Sequence, residues 1–185
     1  MTRPRPSSPA APSARGMVHE AHAQRRPPWR RRVRSAGGLL GAGLVGMLDG
    51  ILFHDLLGWH HFVDVPGRAA EVSDGLFHLA MWILVLAGIA VLWQARPRLS
   101  EPRAGRVLVG SALVGAGTLQ LLDAVVDHAL LRLHWLHPQG DVAAWEAGYL
   151  LVSLVLVLAG WRIVRGAAHR RRTATRRRTR RTPAP

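Results

Sequence analysis

Residues 41–61 read GAGLVGMLDGILFHDLLGWHH, and residues 115–135 read GAGTLQLLDAVVDHALLRLHW. At this offset of 74 residues, Gly41, Gly43, Asp49, His54, Leu57 and His60 fall on Gly115, Gly117, Asp123, His128, Leu131 and His134. The match continues downstream at an offset of 72, where Asp74 pairs with Glu146, Phe77 with Tyr149, and Val85-Leu86-Ala87-Gly88 with Val157-Leu158-Ala159-Gly160. A few glycines can align by chance in apolar sequence, but aligned acids and histidines inside apolar runs require a duplication.

The repeated segments lie in four apolar stretches, at about 36–57, 75–95, 107–131 and 145–164. Each is close to the roughly 20 residues that a helix needs to cross a hydrocarbon layer about 30 Å thick. A soluble bundle would show a polar stripe every three or four residues, and the stretches from Ile83 to Trp93 and from Leu150 to Trp161 have almost none. The expected fold is therefore all-α: an integral membrane four-helix bundle built from two tandem helical hairpins. Repeat 1 covers 36–95 and repeat 2 covers 107–164, inside a membrane domain over 35–165. The first span follows an arginine run, as a signal peptide would. It nevertheless carries Asp49 and His54 and lacks a small-x-small cleavage site, so it is expected to be retained. A repeat unit with two spans re-enters the bilayer in the same orientation, so the halves should be related by an axis along the membrane normal.

Net positive charge is concentrated at the two ends. All 25 basic residues are arginine; residues 1–34 hold nine and residues 166–185 hold eight, in Pro/Ser/Ala/Arg-rich sequence expected to form disordered tails. Basic residues outside a folded face argue against a nucleic-acid partner. The 96–106 loop holds four more arginines, whereas the 58–73 and 132–144 loops hold only Arg68 and Arg132. The positive-inside rule places both termini and the middle loop in the cytoplasm and the two short loops outside. The partners implied are the lipid bilayer and anionic lipids against the basic tails, each nearby arginine contributing on the order of 1 kcal/mol. Trp59, Trp82, Trp93, Trp135, Trp145 and Trp161 fall near span ends, as interfacial anchors do.

The chain has no cysteine. Disulfides, thiolate zinc sites, iron–sulfur clusters and cysteine nucleophiles are excluded, which leaves histidine and carboxylate chemistry. His54, His60, His61, His78, His128, His134 and His137 all fall in the outward half of their helices or in the outer loops. Asp49 and Asp123 lie deeper, where an ionised carboxylate costs at least about 2.5–3.5 kcal/mol unless it is paired or protonated, so they should face the bundle interior. At 100° per residue, Asp49 and His60 point within about 20° of each other, as do Asp123 and His134, and also His54 and His61. Asp74 and His78 are one turn apart. Gly37-x-x-x-Gly41 and Ser111-x-x-x-Gly115 mark the first and third helices as the closely packed central pair. The candidate metal-ligating set is Asp49, His54, His60, His61, His78, Asp123, His128 and His134. Imidazole and carboxylate suit zinc, copper(II) or iron, and two facing imidazoles can ligate haem. Met47 and Met81, without cysteine, read as packing residues rather than copper(I) ligands.

The strings Asp49-Gly50-Ile51-Leu52-Phe53-His54, Trp59-His60-His61, Asp74-Gly75-Leu76-Phe77-His78, Asp127-His128-x-Leu130-Leu131 and Trp145-Glu146 resemble the signature of bacterial predicted membrane proteins known as the domain of unknown function 2243 family. The resemblance covers about residues 36–164. It implies a multi-pass protein of the bacterial inner (plasma) membrane with no established activity. Fusion of some relatives to copper-handling cytochrome oxidase assembly domains implies a respiratory-enzyme assembly partner.

Three functions fit these residues: an outward-facing site for a transition metal or haem, proton- or cation-coupled transport through Asp49 and Asp123, and a scaffold in which the polar residues only align helices. An enzyme is not expected. There is no nucleophile elbow, phosphate loop or His-Glu-x-x-His string, and Gly41-x-Gly43-x-x-Gly46 lacks the preceding strand of a dinucleotide site. Reporter fusions should place both chain ends and the 96–106 loop on the cytoplasmic face and the 58–73 loop on the opposite one; ends on opposite faces would remove the four-span topology.

Overall fold

The structure is a computed structural model that describes residues 28–179, with side chains over 29–167. Helix α1, Pro28–Asp49, runs on without interruption into a π-helical segment, Gly50–Leu56. Helix α2, Arg68–Ala95, ends in a 3-10 turn, Arg96–Arg98. Helix α3, Ala104–Leu122, again continues as a π-helix, Asp123–Leu130, and helix α4 spans Val142–Thr179. No strand occurs among the described residues. Trp29–Leu56, Arg68–Arg98, Ala104–Leu130 and Val142–Ala167 are each long and apolar enough to cross a membrane.

The helices overrun the expected domain limits. Helix α1 begins at Pro28, a residue suited to a first helical turn, so the arginines at 30–32 are helical. Between Gly166 and Thr179 there is neither glycine nor proline to stop α4, and arginine and alanine are good helix formers. Val33, Ala95, Val107 and Ala167 pack together as a small buried cluster where the four helices meet at this end, and the Arg30 guanidinium donates to the Ala167 carbonyl at 3.2 Å. The tail expectation for residues 1–27 and 180–185 lies outside the described residues.

Glycine sets the packing. A Cβ on Gly41 would collide with the Ala112 backbone, and one on Gly115 with the Gly38 backbone, so α1 and α3 touch main chain to main chain. Such close approach is how helices associate where lipid is as apolar as leucine and burial of apolar surface gives little drive. Each partner helix then packs on its own central helix by the same rule. Gly43 faces Met81 and Val85, and its counterpart Gly117 faces Ser153 and Val157; Gly88 packs on Leu40, and Gly160 on Val114. Every one of these contacts maps onto the other under the sequence repeat, so the hairpins are equivalent and their axis runs between α1 and α3. The outer faces of α2 and α4 stay exposed and apolar, as Ile83, Leu86, Leu154 and Leu158 show. The guanidinium groups of Arg96 and Arg165 lie 4.4 and 3.8 Å over the Trp93 and Trp161 rings. That stacking suits a membrane–water boundary.

Gly41→Val or Gly115→Val should force the central helices apart and lower stability in detergent by about 1–3 kcal/mol. Gly75→Val, where a Cβ meets nothing within 4 Å, should change the melting midpoint little.

Candidate metal centre

The π-helical ends build the site. On a regular α-helix, residues five apart point about 140° away from each other. The i→i+5 hydrogen bonding of a π-turn instead stacks them on one face. Leu57 N–H donates to Leu52 O at 2.9 Å, and Leu131 N–H to Val126 O at 2.8 Å. Asp49 thereby aligns with His54, and Asp123 with His128. Gly58 (φ 56°) and Arg132 (φ 53°), equivalent in the repeat, then adopt the left-handed conformation that ends each helix. Trp59 N–H donates back to Phe53 O, and Leu133 N–H to Asp127 O, both at 2.8 Å. The chain doubles back over the helix end and returns His60 and His134 to the carboxylates below. His60 thus meets Asp49 from a loop, not from the continued helix that a 100° rotation per residue assumes.

Two groups result, Asp49/His54/His60 and Asp123/His128/His134, each with one potential ligand atom per residue and those atoms within 4.8 Å of one another. His54 Nε2 is 3.7 Å from Asp49 Oδ2, His128 Nε2 is 3.1 Å from Asp123 Oδ2, and His134 Nε2 is 3.8 Å from Asp123 Oδ1. All four histidines are buried, His128 at 1% exposure. Asp49 Oδ1 and His54 Nδ1 have no hydrogen-bond partner, and His128 Nε2 has only its ion-pair approach to Asp123. Such orphaned atoms are costly in a low-dielectric interior and are what a cation would satisfy.

The opposite edge of each imidazole is anchored. Asp74 Oδ1 lies 3.0 Å from His54 Nδ1, and Glu146 Oε2 lies 2.6 Å from His128 Nδ1. His60 Nδ1–H donates to Leu136 O at 2.8 Å, and His134 Nδ1–H to Phe62 O at 2.9 Å. A carbonyl can only accept, so these bonds put the proton on Nδ1 and leave the Nε2 lone pair free. The same carboxylates also accept from the loop backbone, Phe62 N–H to Asp74 Oδ1 at 2.7 Å and Leu136 N–H to Glu146 Oε1 at 2.8 Å. Burial, followed by the neighbouring His134, pushes His60 down to about 4. Burial likewise lowers His134 against the pull of Asp123. Both are therefore neutral imidazoles near pH 7, the form that binds metal.

His61 and His78 stand outside both groups. His61, half-exposed, bonds Asp74 Oδ2 at 2.6 Å, and that bond raises its pKa. His78 packs on Gly50, 3.8 Å from Asp55. Sequence reasoning paired Asp74 with Glu146 but did not assign them the task of orienting histidines; a duplicated acid at the outer end of each second helix was the available signal. It also missed Gln120 and Tyr149. Tyr149 O–H donates to Asp123 Oδ2 at 3.0 Å. With Asp49, Asp123, Asp127 and Gln120 it lines a cavity of about 240 Å³ between α1 and α3 on the membrane-inward side of the histidines. Haem does not fit here: the cavity is below the roughly 300 Å³ at which pockets for drug-sized ligands begin, and the four imidazoles contact one another edge and face rather than opposing across a slot.

Fold and site together define a four-span membrane protein of duplicated hairpins with a buried His/Asp cluster near one end. Residues 36–167 match the family described as predicted membrane protein (DUF2243), and the chain belongs to that family. No curated protein and no solved structure matches it.

Asp74→Ala would strip His61 Nδ1 and Phe62 N–H of one shared acceptor and His54 of its ion-pair partner. It should cost about 1–3 kcal/mol and speed hydrogen exchange in residues 57–67. Asp141→Ala, which removes one exposed bond to Ala144 N–H, should leave both measurements nearly unchanged.

Proposed function

We propose that the protein binds first-row transition-metal ions at its two His₂Asp groups, on the non-cytoplasmic side of the bacterial plasma membrane. The observation that carries this reading is the orientation of the four buried histidines. Each has Nδ1 within 3.0 Å of a carboxylate or a carbonyl oxygen, by hydrogen bond for His60, His128 and His134 and as an ion-pair approach for His54, the outer-shell arrangement that fixes metal-ligating imidazoles, and each keeps Nε2 for the interior. Nitrogen and carboxylate donors favour zinc, copper(II), iron or manganese. Met81 packs on Gly46 between α1 and α2. Three protein ligands per ion leave coordination positions open, as in exchangeable or reactive sites rather than closed structural ones.

Arginine distribution supports the outward orientation, because the histidines lie at the bundle end opposite the Arg96–Arg98 turn and both helix termini. What supports a respiratory-enzyme assembly partner is the family resemblance alone. Transport through Asp49 and Asp123 is the second reading, favoured by the cavity that both carboxylates line. It requires flux in proteoliposomes that Asp49→Asn abolishes.

Elemental analysis of the protein purified in mild detergent after native expression should find zinc, copper, iron or manganese in stoichiometric amount. His54→Ala/His128→Ala should lose the metal while remaining helical. A metal-free wild-type protein that also takes up none of Zn²⁺, Cu²⁺, Fe²⁺ or Mn²⁺ would overturn the reading and leave the scaffold role, in which those alanines affect stability only.

A further inference from the structure

Resting on the metal reading, we infer that the two groups are halves of one dinuclear centre whose outer shells are interlocked, with Asp74 and Glu146 each positioning a histidine of both halves. Proximity comes first. His60 and His134 belong to different halves, yet their rings stack with centroids 4.6 Å apart and planes 4° apart. His54 reaches the His134 ring at 6.4 Å, and His60 reaches the His128 ring at 6.5 Å. Ligands of the two halves are thus in direct contact, as the ligands of a two-metal site are. Asp49 and Asp123, one from each half, open onto a single cavity.

Connectivity comes second. Glu146 holds His128 of its own half through Oε2; through Oε1 it holds the Leu136 amide, whose residue's carbonyl takes the proton of His60 from the other half. Asp74 does the same in mirror role, holding His54 directly and His134 by way of Phe62. Neither half can be distorted at its carboxylate without moving a ligand of the other. Charge agrees in sign, since Asp49, Asp74, Asp123, Asp127 and Glu146 around the cluster supply the carboxylates that two divalent cations need in a setting where net charge is expensive.

Titration of the detergent-solubilised full chain with Cu²⁺, followed by electron paramagnetic resonance, tests the assignment. The expected result is two Cu²⁺ per chain with a spin-coupled spectrum showing a half-field transition. His54→Ala should retain one Cu²⁺ with an uncoupled signal, which also excludes coupling between chains. Glu146→Gln leaves every direct ligand in place but offers an amide N–H₂ where an acceptor is needed. It should weaken both ions by about 10–100-fold, with unchanged helicity by circular dichroism. One Cu²⁺ per chain, two without coupling, or a Glu146→Gln effect confined to one ion would overturn the dinuclear assignment and leave metal binding intact. No Cu²⁺, Zn²⁺, Fe²⁺ or Mn²⁺ bound at all would overturn both.

Discussion

The loops after α1 and α3 each hand a histidine to the other: His60 donates to the Leu136 carbonyl and His134 to the Phe62 carbonyl. A third bond, Asp64 N–H to Leu133 O at 3.1 Å, joins the same loops. Near a membrane, backbone groups that leave helical structure must find partners within the protein, because lipid offers none. The two loops meet this demand by exchange, and the exchange fixes the register of one hairpin against the other at the outer end. The glycine contacts of α1 with α3 fix the distance between them lower down. Together these two constraints hold four imidazoles in mutual contact, an arrangement neither hairpin can make alone.

Much of this was legible in the residues. Asp49, His54 and His60 recur as Asp123, His128 and His134, so a matching residue set in each hairpin followed from the duplication, and Gly37, Gly41, Ser111 and Gly115 identified the central helices. The local geometry was not legible. Asp49 and His54 are five apart and share a face only because the helix widens to a π-turn there, and no residue type in Gly50–Leu56 signals that widening. His60 and His61 are adjacent in sequence and have opposite fates. His60 is buried against the other loop, while His61 stays half-exposed on Asp74, and which of the two turns inward depends on the left-handed residue at Gly58. Hydrogen bonds to the carbonyls of Phe62 and Leu136 carry no side-chain signature. The helix limits at Pro28 and Thr179 were missed because arginine reads as charge before it reads as a helix former.

Departures from the repeat are as informative as its agreements, and they fall on both sides of the histidines. Tyr149 replaces Phe77 and bonds Asp123, so the second carboxylate has a phenol partner that Asp49 lacks. Asp127 stands where the first repeat has Phe53, and Gln120 where it has Gly46. All three changes put polar groups of the second repeat around the cavity below the cluster. On the outer side the asymmetry is aromatic. Trp59 packs against His137 at 4.5 Å and Trp145 at 5.3 Å between ring centroids, with Phe53 stacked behind at 5.1 Å. Duplication alone would make the two half-sites identical. Drift confined to the outer surface would be expected of lipid-facing positions, yet the buried floor has diverged too. A buried tyrosine and a half-buried glutamine and aspartate in a spanning bundle are costly unless each has a partner or a task. Tyr149 has a partner in Asp123, but Gln120 Oε1 has none. The divergence therefore places the more polar side of the cavity in the second repeat, and leaves Asp49, with its unpartnered oxygen, as the first repeat's contribution to the same cavity.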